Sequence, residues 1–296
     1  MLRRSLLAPV VAGPLALLGG CGWLLDVAHD GADAPASAPL VRPVRTAWVL
    51  SSGGPRGFAH VGVLKALTEL GYRPDLIVGA SIGALVGGLY ASGLPAHELE
   101  KLALEFNFMG VVRPNLVGPG NEKISGGGIV GLVNELVNRR MIEQLPTAMA
   151  VVAMQQKTRE VVAFTRGNLG VAVQASCAIE GNLAPVQIRG QAYVDPDLGT
   201  PMPVRVALAL GAQYVLAVDV SAHEAKAPTG SERYRVGDLR KRALTEPEAR
   251  AATLTLHPEF SYYVNLSQEF RERAIHAGYT QTMARAAQLR AAFPQG

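Results

Sequence analysis

The chain has 296 residues, 49% of them hydrophobic and 18% charged, with a formal net charge of +4 and two cysteines. That length is enough for one large α/β domain with a substantial core, and the positive surplus forms no basic stripe interleaved with aromatics, so nucleic-acid binding has no support. Two thiols cannot build a metal cluster and the six histidines show no HxxH or HExxH spacing, so neither a metal nor another cofactor is expected.

At the N-terminus Arg3 and Arg4 precede an apolar stretch from Leu6 to Leu18. It is shorter than the ~20 apolar residues that span a bilayer and is broken by Pro9 and Pro14, so residues 1–20 read as a secretory signal. The following Leu18-Gly19-Gly20-Cys21 resembles a bacterial lipobox, whose cysteine becomes the lipid-modified first residue of the mature chain. On that reading Cys21 anchors the protein at the periplasmic face of an envelope membrane, the outer rather than the inner one, with plain secretion as the alternative. Residues 21–44, rich in Ala, Pro, Asp and Gly, then form a flexible tether, and residues 45–296 the folded body.

Thr46 to Ser51 is a buried strand, Ser52 to Gly57 a glycine-rich turn, and Val61, Leu64, Leu67 and Leu70 mark a helix that Gly71 stops. Leu76 to Val78 is the next strand. It breaks at Gly79, exposes Ser81 and continues as a small-residue helix, which makes Gly79-Ala80-Ser81-Ile82-Gly83 a GxSxG elbow in a strand–turn–helix context. Side chains at Gly79 and Gly83 would collide with the turn or the neighbouring strand. Ser125 reads as the N-cap of an apolar helix at Ile129 to Val137, opened by Gly126-Gly127-Gly128. Ala150 to Met154 and Glu160 to Phe164 are strands around a turn at Gln155 to Arg159, Val204 to Leu210 is a helix, and Tyr214 to Val220 is another buried strand. Ser221 to Arg250 is polar and weakly periodic and reads as a poorly ordered surface excursion, whereas Ser267 to Ala292 reads as an amphipathic helix outside the sheet. Strand and helix alternate as in a parallel sheet covered on both faces.

A serine nucleophile needs a base for its proton and donors for the oxyanion. Ser81 is the candidate nucleophile. The donors fall in Ser52-Gly53-Gly54-Pro55-Arg56-Gly57, where the amides of Gly53, Gly54 and Arg56 can converge and Pro55 offers no N–H. A phosphate-binding loop is the competing reading, but the segment has no GKS or GKT and no GxGxxG register.

The strings LSSGGPRGFAHVGVLKAL, GASIG and ASCAIEGNLAPVQIRGQAYVDPDLGTPMPV follow one another from about Thr46 to Ala222. Together they resemble the patatin-like phospholipases, whose marks are a GGGxRG loop, GxSxG and a late Asp-Gly-Gly or Asp-Gly-Ala. The resemblance implies a three-layer α/β/α sandwich with a central, mostly parallel sheet and the elbow after a central strand. It also implies hydrolysis of phospholipid or other acyl esters by a Ser–Asp dyad, with the serine at Ser81 and the aspartate at Asp195. Ser52 departs from the glycine triplet and Asp195-Pro196-Asp197 from the aspartate motif. Asp195 follows the strand-like Ala192-Tyr193-Val194 and is the preferred base, with Asp197 as reserve acid. Partial desolvation would bring such a carboxylate toward the working pH. The altered motif keeps a catalytically weak or inactive lipid-binding lipoprotein of the same fold as the alternative. His60 reads as a packed core histidine, His97, His223 and His257 as surface residues without a chemical signal, Cys177 as a buried small hydrophobe and Glu180 as a solvated loop charge.

Overall fold

The computed structural model describes residues 28–107, 110–115 and 120–293, so the signal-like segment and Cys21 lie outside the described residues. The first strand, β1 (Thr46–Leu50), sets the layering: Trp48 and Leu50 enter one apolar cluster and Ala47 and Val49 another. Successive side chains leave a strand on opposite faces, so an all-apolar strand needs cover on both. Next in the chain come α1 (Phe58–Glu69), β2 (Leu76–Ala80), α2 (Ile82–Ala91), α3 (Ala96–Glu105), the short antiparallel pair β3 (Arg113–Pro114) and β4 (Ile124–Ser125), and α4 (Gly127–Leu136). β5 (Ala148–Gln155), β6 (Val161–Phe164), α5 (Leu169–Ser176), β7 (Val186–Ile188), β8 (Gln191–Val194), α6 (Val204–Ala209) and β9 (Tyr214–Val218) follow. The C-terminal part holds α7 (Glu232–Ala251), β10 (Leu254–Leu256), α8 (Gln268–Ala284) and α9 (Ala286–Ala292).

The main sheet runs in the order β10-β9-β1-β2-β5-β8-β7, with β6 paired to β5 beside β8. β10, β9, β1, β2 and β5 are mutually parallel, and β6, β7 and β8 add an antiparallel margin. The result is an α/β sandwich with a mostly parallel sheet. Trp48, Leu50, Ile77 and Val151 pack with Leu64, Leu89, Leu169 and Ile275 on one side, and Ala47, Val49, Val78 and Val152 with Met202, Val204 and Ala207 on the other. α1 and α8 touch backbone to backbone, because a Cβ on Gly62 would stand 1.9 Å from the Ile275 carbonyl oxygen and one on Gly278 2.2 Å from that of Ala59.

Three local expectations are corrected. Residues 28–44 do not hang free: His29 bridges to Ile188, Ala36 to Arg166, and Ala34 is buried. They dock because Gly167 leaves a bare stretch of backbone, where a Cβ would stand 2.7 Å from the Ala34 carbonyl oxygen. Most of the polar excursion after Ser221 is the 20-residue helix α7. It is held by ion pairs from Glu248 to Arg205 and Arg242 to Glu224, and by Tyr262 donating to Asp238, rather than by an apolar face. The N-cap of α4 is Gly126, with Ser125 Oγ accepting at 3.3 Å from the Gly127 amide instead of serving as the cap.

Candidate active site

The ends of β1 and β2 lie side by side, Leu50 opposite Gly79, so the glycine loop and the elbow open at the carboxyl edge of adjacent parallel strands. That edge is where open parallel sheets place ligands. At the elbow Ser81 has φ 54°, ψ −124°, a backbone conformation that β-carbons disfavour. Its surroundings enforce it. A Cβ on Gly79 would meet Ala84 Cα at 2.5 Å and one on Gly83 the Leu50 carbonyl oxygen at 2.2 Å, while the Ser81 amide donates to Ser176 Oγ at 2.8 Å. Ser176 Oγ in turn donates to the Val152 carbonyl at 2.6 Å, which ties the strained peptide to β5. α2 starts directly after Ser81, so the positive end of its dipole faces that residue.

Asp195 caps a short 3₁₀ turn after β8, and its Oδ1 accepts from the Asp197 amide at 2.9 Å. It is 4% exposed. Burial pushes its carboxyl up to about 7; the Ser81 hydroxyl works against that rise and the negative charge of Asp197 adds to it. Ser81 and Asp195 are therefore brought together, although more than a hundred residues separate them. Cys177 stands beside them. The residue as a whole is partly exposed and packs against the core, while burial of its thiol, reinforced by the Asp195 charge, pushes it far up, so that it stays a neutral thiol.

Asp197 belongs to a different network. Its Oδ1 accepts from Ser52 Oγ and pairs with Lys241 Nζ at 2.6 Å. Burial raises this carboxyl, but the Lys241 ammonium and the Ser52 hydroxyl outweigh it and hold Asp197 below the ordinary carboxylate value. The reserve acid is thus a committed carboxylate that anchors the glycine loop to α7. Ser52 uses its side chain, not only its backbone.

In the loop itself Gly54 takes φ 53°, and a Cβ on Gly53 would stand 2.7 Å from Val220 Cγ2. The amides of Gly53 and Gly54 have no acceptor among the described residues, whereas that of Arg56 donates to the Gly53 carbonyl at 3.1 Å. The expected third donor is therefore spent inside the 3₁₀ turn Gly54–Gly57, whose i to i+3 bond consumes it. The Arg56 side chain staples the loop from behind: Nε donates to the Val220 carbonyl at 2.6 Å and a terminal nitrogen to that of Ser261 at 2.9 Å, with the guanidinium 4.4 Å from the Phe260 ring centre. His60 is fully buried, and desolvation lowers it to about 4, so it is neutral. The Ser51 carbonyl, 2.9 Å from His60 Nε2, therefore accepts its proton, and His60 positions the loop.

An apolar cavity of about 340 Å³ begins at Ile82, the residue after Ser81, and runs between Phe58, Leu85, Val86, Leu99 and Leu136. Ile82 also packs on Gly57, so the cavity borders the glycine loop and the elbow at once. Glu180 pairs with Arg159 at 2.9 Å instead of standing alone in solvent, and His97 is exposed. His223 and His257 form a stacked pair on Asp219. Ser176, Lys241 and the His60–Ser51 contact carry no motif. Only the Ala175-Ser176-Cys177 string beside the aspartate motif pointed toward the first of them.

Comparison with known proteins agrees with this geometry. The model of the patatin-like phospholipase family matches residues 48–208, which includes the glycine loop, the elbow and both aspartates. An uncharacterised NTE family protein of Mycobacterium tuberculosis is 35% identical over 184 residues, covering 61% of this chain and 50% of that one. Patatin-like phospholipase domain-containing protein 6 of Mus musculus is 30% identical over 184 residues, 60% of this chain and 14% of the mouse protein. The chain spans about half the length of the first of these relatives. Among solved structures, VipD from Legionella pneumophila superposes with a TM-score of 0.56 at 14% identity over 83% of this chain and 67% of that one, a likeness of fold.

Proposed function

The chain belongs to the patatin-like phospholipase family, and from that premise we propose that it is a serine acyl hydrolase of phospholipid or related lipid esters. The observation that carries the reading is the Ser81–Asp195 pair: a strained serine at a helix N-terminus, facing a buried carboxyl raised to about 7. In the proposed reaction Ser81 Oγ attacks the acyl carbonyl and its proton passes to Asp195. The amides of Gly53 and Gly54 receive the developing oxyanion. Collapse breaks the ester C–O bond, and the proton on Asp195 goes to the departing alkoxide. Water then attacks the acyl-enzyme, gives its proton to Asp195, and the proton returns to Ser81 as the fatty acid leaves.

The cavity at Ile82 supplies a place for the acyl chain. A carboxyl near 7 is a far stronger base than an exposed aspartate. Among the described residues no helix is long and apolar enough to cross a membrane. The lipobox-like Cys21 would provide attachment instead, through acyl chains worth about 0.8 kcal/mol per buried methylene. Incorporation of labelled fatty acid, lost in Cys21→Ser, tests that part.

The second reading, a lipid-binding protein without turnover, draws on Pro196, which stands where the family motif has glycine. A fluorophosphonate probe separates the two. Wild type is expected to label and Ser81→Ala not to. Fatty-acid release from phosphatidylcholine vesicles and p-nitrophenyl esters should fall by about 10² to 10⁴ in Asp195→Asn. Each methylene added to the acyl group should raise kcat/KM by up to about fourfold until the cavity is filled. A folded wild type that neither labels nor releases fatty acid would leave only the binding reading.

A further inference from the structure

We propose that Asp219, His223 and His257 form a binding site for a divalent first-row transition-metal ion, zinc foremost, that braces the strand ends behind the glycine loop. β9 and β10 are parallel neighbours with Val218 opposite Leu256, and the Asp219 amide donates to the Leu256 carbonyl at 2.9 Å, so the residues leaving the two strands emerge together. Asp219 and His257 are those residues. His223 returns to the same point at the head of the 3₁₀ turn Glu224–Lys226.

Asp219 is 4% exposed. Its Oδ1 accepts from Ser221 N at 2.9 Å. Oδ2 faces both rings, 3.8 Å from His223 Nε2 and 3.7 Å from His257 Nδ1. These distances exceed a hydrogen bond, and His257 Nδ1 is buried with no hydrogen-bond partner among the described residues. A buried nitrogen in that state needs a partner.

The three donor atoms lie within 4.8 Å of one another. Zinc bonds of about 2.0–2.2 Å require donor separations of roughly 3.3–3.6 Å in a tetrahedron, so the two measured edges must shorten by only a few tenths of an ångström. The imidazole rings are stacked with centroids 3.9 Å apart and 14° between planes. Binding therefore splays the stack by rotation about the broad sp³–sp² torsion of each histidine. Two imidazoles and one carboxylate are a borderline-soft set suited to zinc, with the partly exposed ring edges leaving the fourth position to water. No sequence spacing announces the site, because parallel strand pairing, not a helix repeat, brings its members together.

The consequence reaches the active loop. Val220 and the Ser261–Tyr262 segment, which follow Asp219 and His257 closely, supply the carbonyls that hold the Arg56 guanidinium, and Val220 Cγ2 packs under Gly53. A metal clasp would fix both segments at their roots.

The test uses tag-free full-length protein stripped with a chelator and then titrated with Zn(II), and separately with Co(II). One equivalent should bind saturably, the Co(II) form should show the strong visible bands of a tetrahedral site, and Zn(II) should raise Tm. His223→Gln and His257→Gln should each weaken binding at least about tenfold, the double variant should lose the Tm shift, and His97→Gln, exposed and remote, should change nothing. Absence of saturable one-to-one binding to wild type, or binding that persists unchanged in the double variant, overturns the proposal. Because the wild-type Co(II) spectrum needs no variant, a folding defect in the substitutions would not shield it. Neither readout depends on hydrolase activity.

Discussion

In the proposed mechanism Asp195 is the residue on which activity and stability pull in opposite directions. Below its unfolded value near 3.8 the carboxyl is neutral in both states, and above about 7 it is charged in both, so its contribution to folding is lost as pH rises through 7. At 1.36 kcal/mol per unit the cost reaches roughly 4 kcal/mol at pH 8. Asp195→Asn should accordingly be more stable than wild type at pH 8 in urea denaturation while its hydrolysis collapses. His60 runs the other way: its folded value near 4 lies below 6.5, so the unfolded chain takes up a proton first and stability falls as pH drops between those values. With Asp195 removed, that acid-side loss should steepen in the same assay. The charges around Asp195 give a second check, read from the pH profile of kcat/KM, which should rise through about pH 7 as the base ionises. Lys241 lowers the Asp195 value and Asp197 raises it. Lys241→Met should shift the profile to higher pH and Asp197→Asn to lower pH, with hydrolysis surviving in both. Loss of all turnover in Asp197→Asn alone would transfer the role of base to that residue.

At the scale of elements, the elbow was legible because its constraints are local: a buried strand, Gly79, Ser81 and Gly83 determine one turn, and the clashes a Cβ would make at both glycines follow. α7 was not legible. Its large apolar residues Tyr234, Val236 and Leu239 are exposed instead of gathered on one buried face, and Pro247 interrupts it, so its periodicity does not distinguish it from a solvated loop; its order comes from Lys241, Arg242 and Glu248 finding partners elsewhere in the chain. The contact of α1 with α8 is equally invisible in sequence, yet it depends on two glycines. Gly62→Val should force the Ile275 backbone away and lower stability by about 1–3 kcal/mol or more, measured as the denaturation midpoint. Gly71→Ala, where the space is open but φ is 83°, should show only the smaller penalty of backbone strain.

For the whole molecule, the layering was readable from the apolar strands and the helices between them, and the docking of residues 28–44 was not, since alanine and proline segments look alike whether tethered or seated. A chain starting at Val44 should melt at a lower temperature than one starting at Ala28, because the shorter form uncovers Gly167 and the partners of Ala34 and Ala36. Equal melting temperatures would show the docked segment to be energetically idle. By itself the sequence determined the strand–turn–helix units, the strained serine and the glycine loop, for these rest on sterics between residues a few positions apart. Only the tertiary structure decided which acid meets Ser81, that the Arg56 amide is spent, that Lys241 holds Asp197, and that two histidines read as surface residues share a carboxylate. Each of those depends on which strand ends lie side by side and on how much water burial removes, quantities set by the folded sheet as a whole.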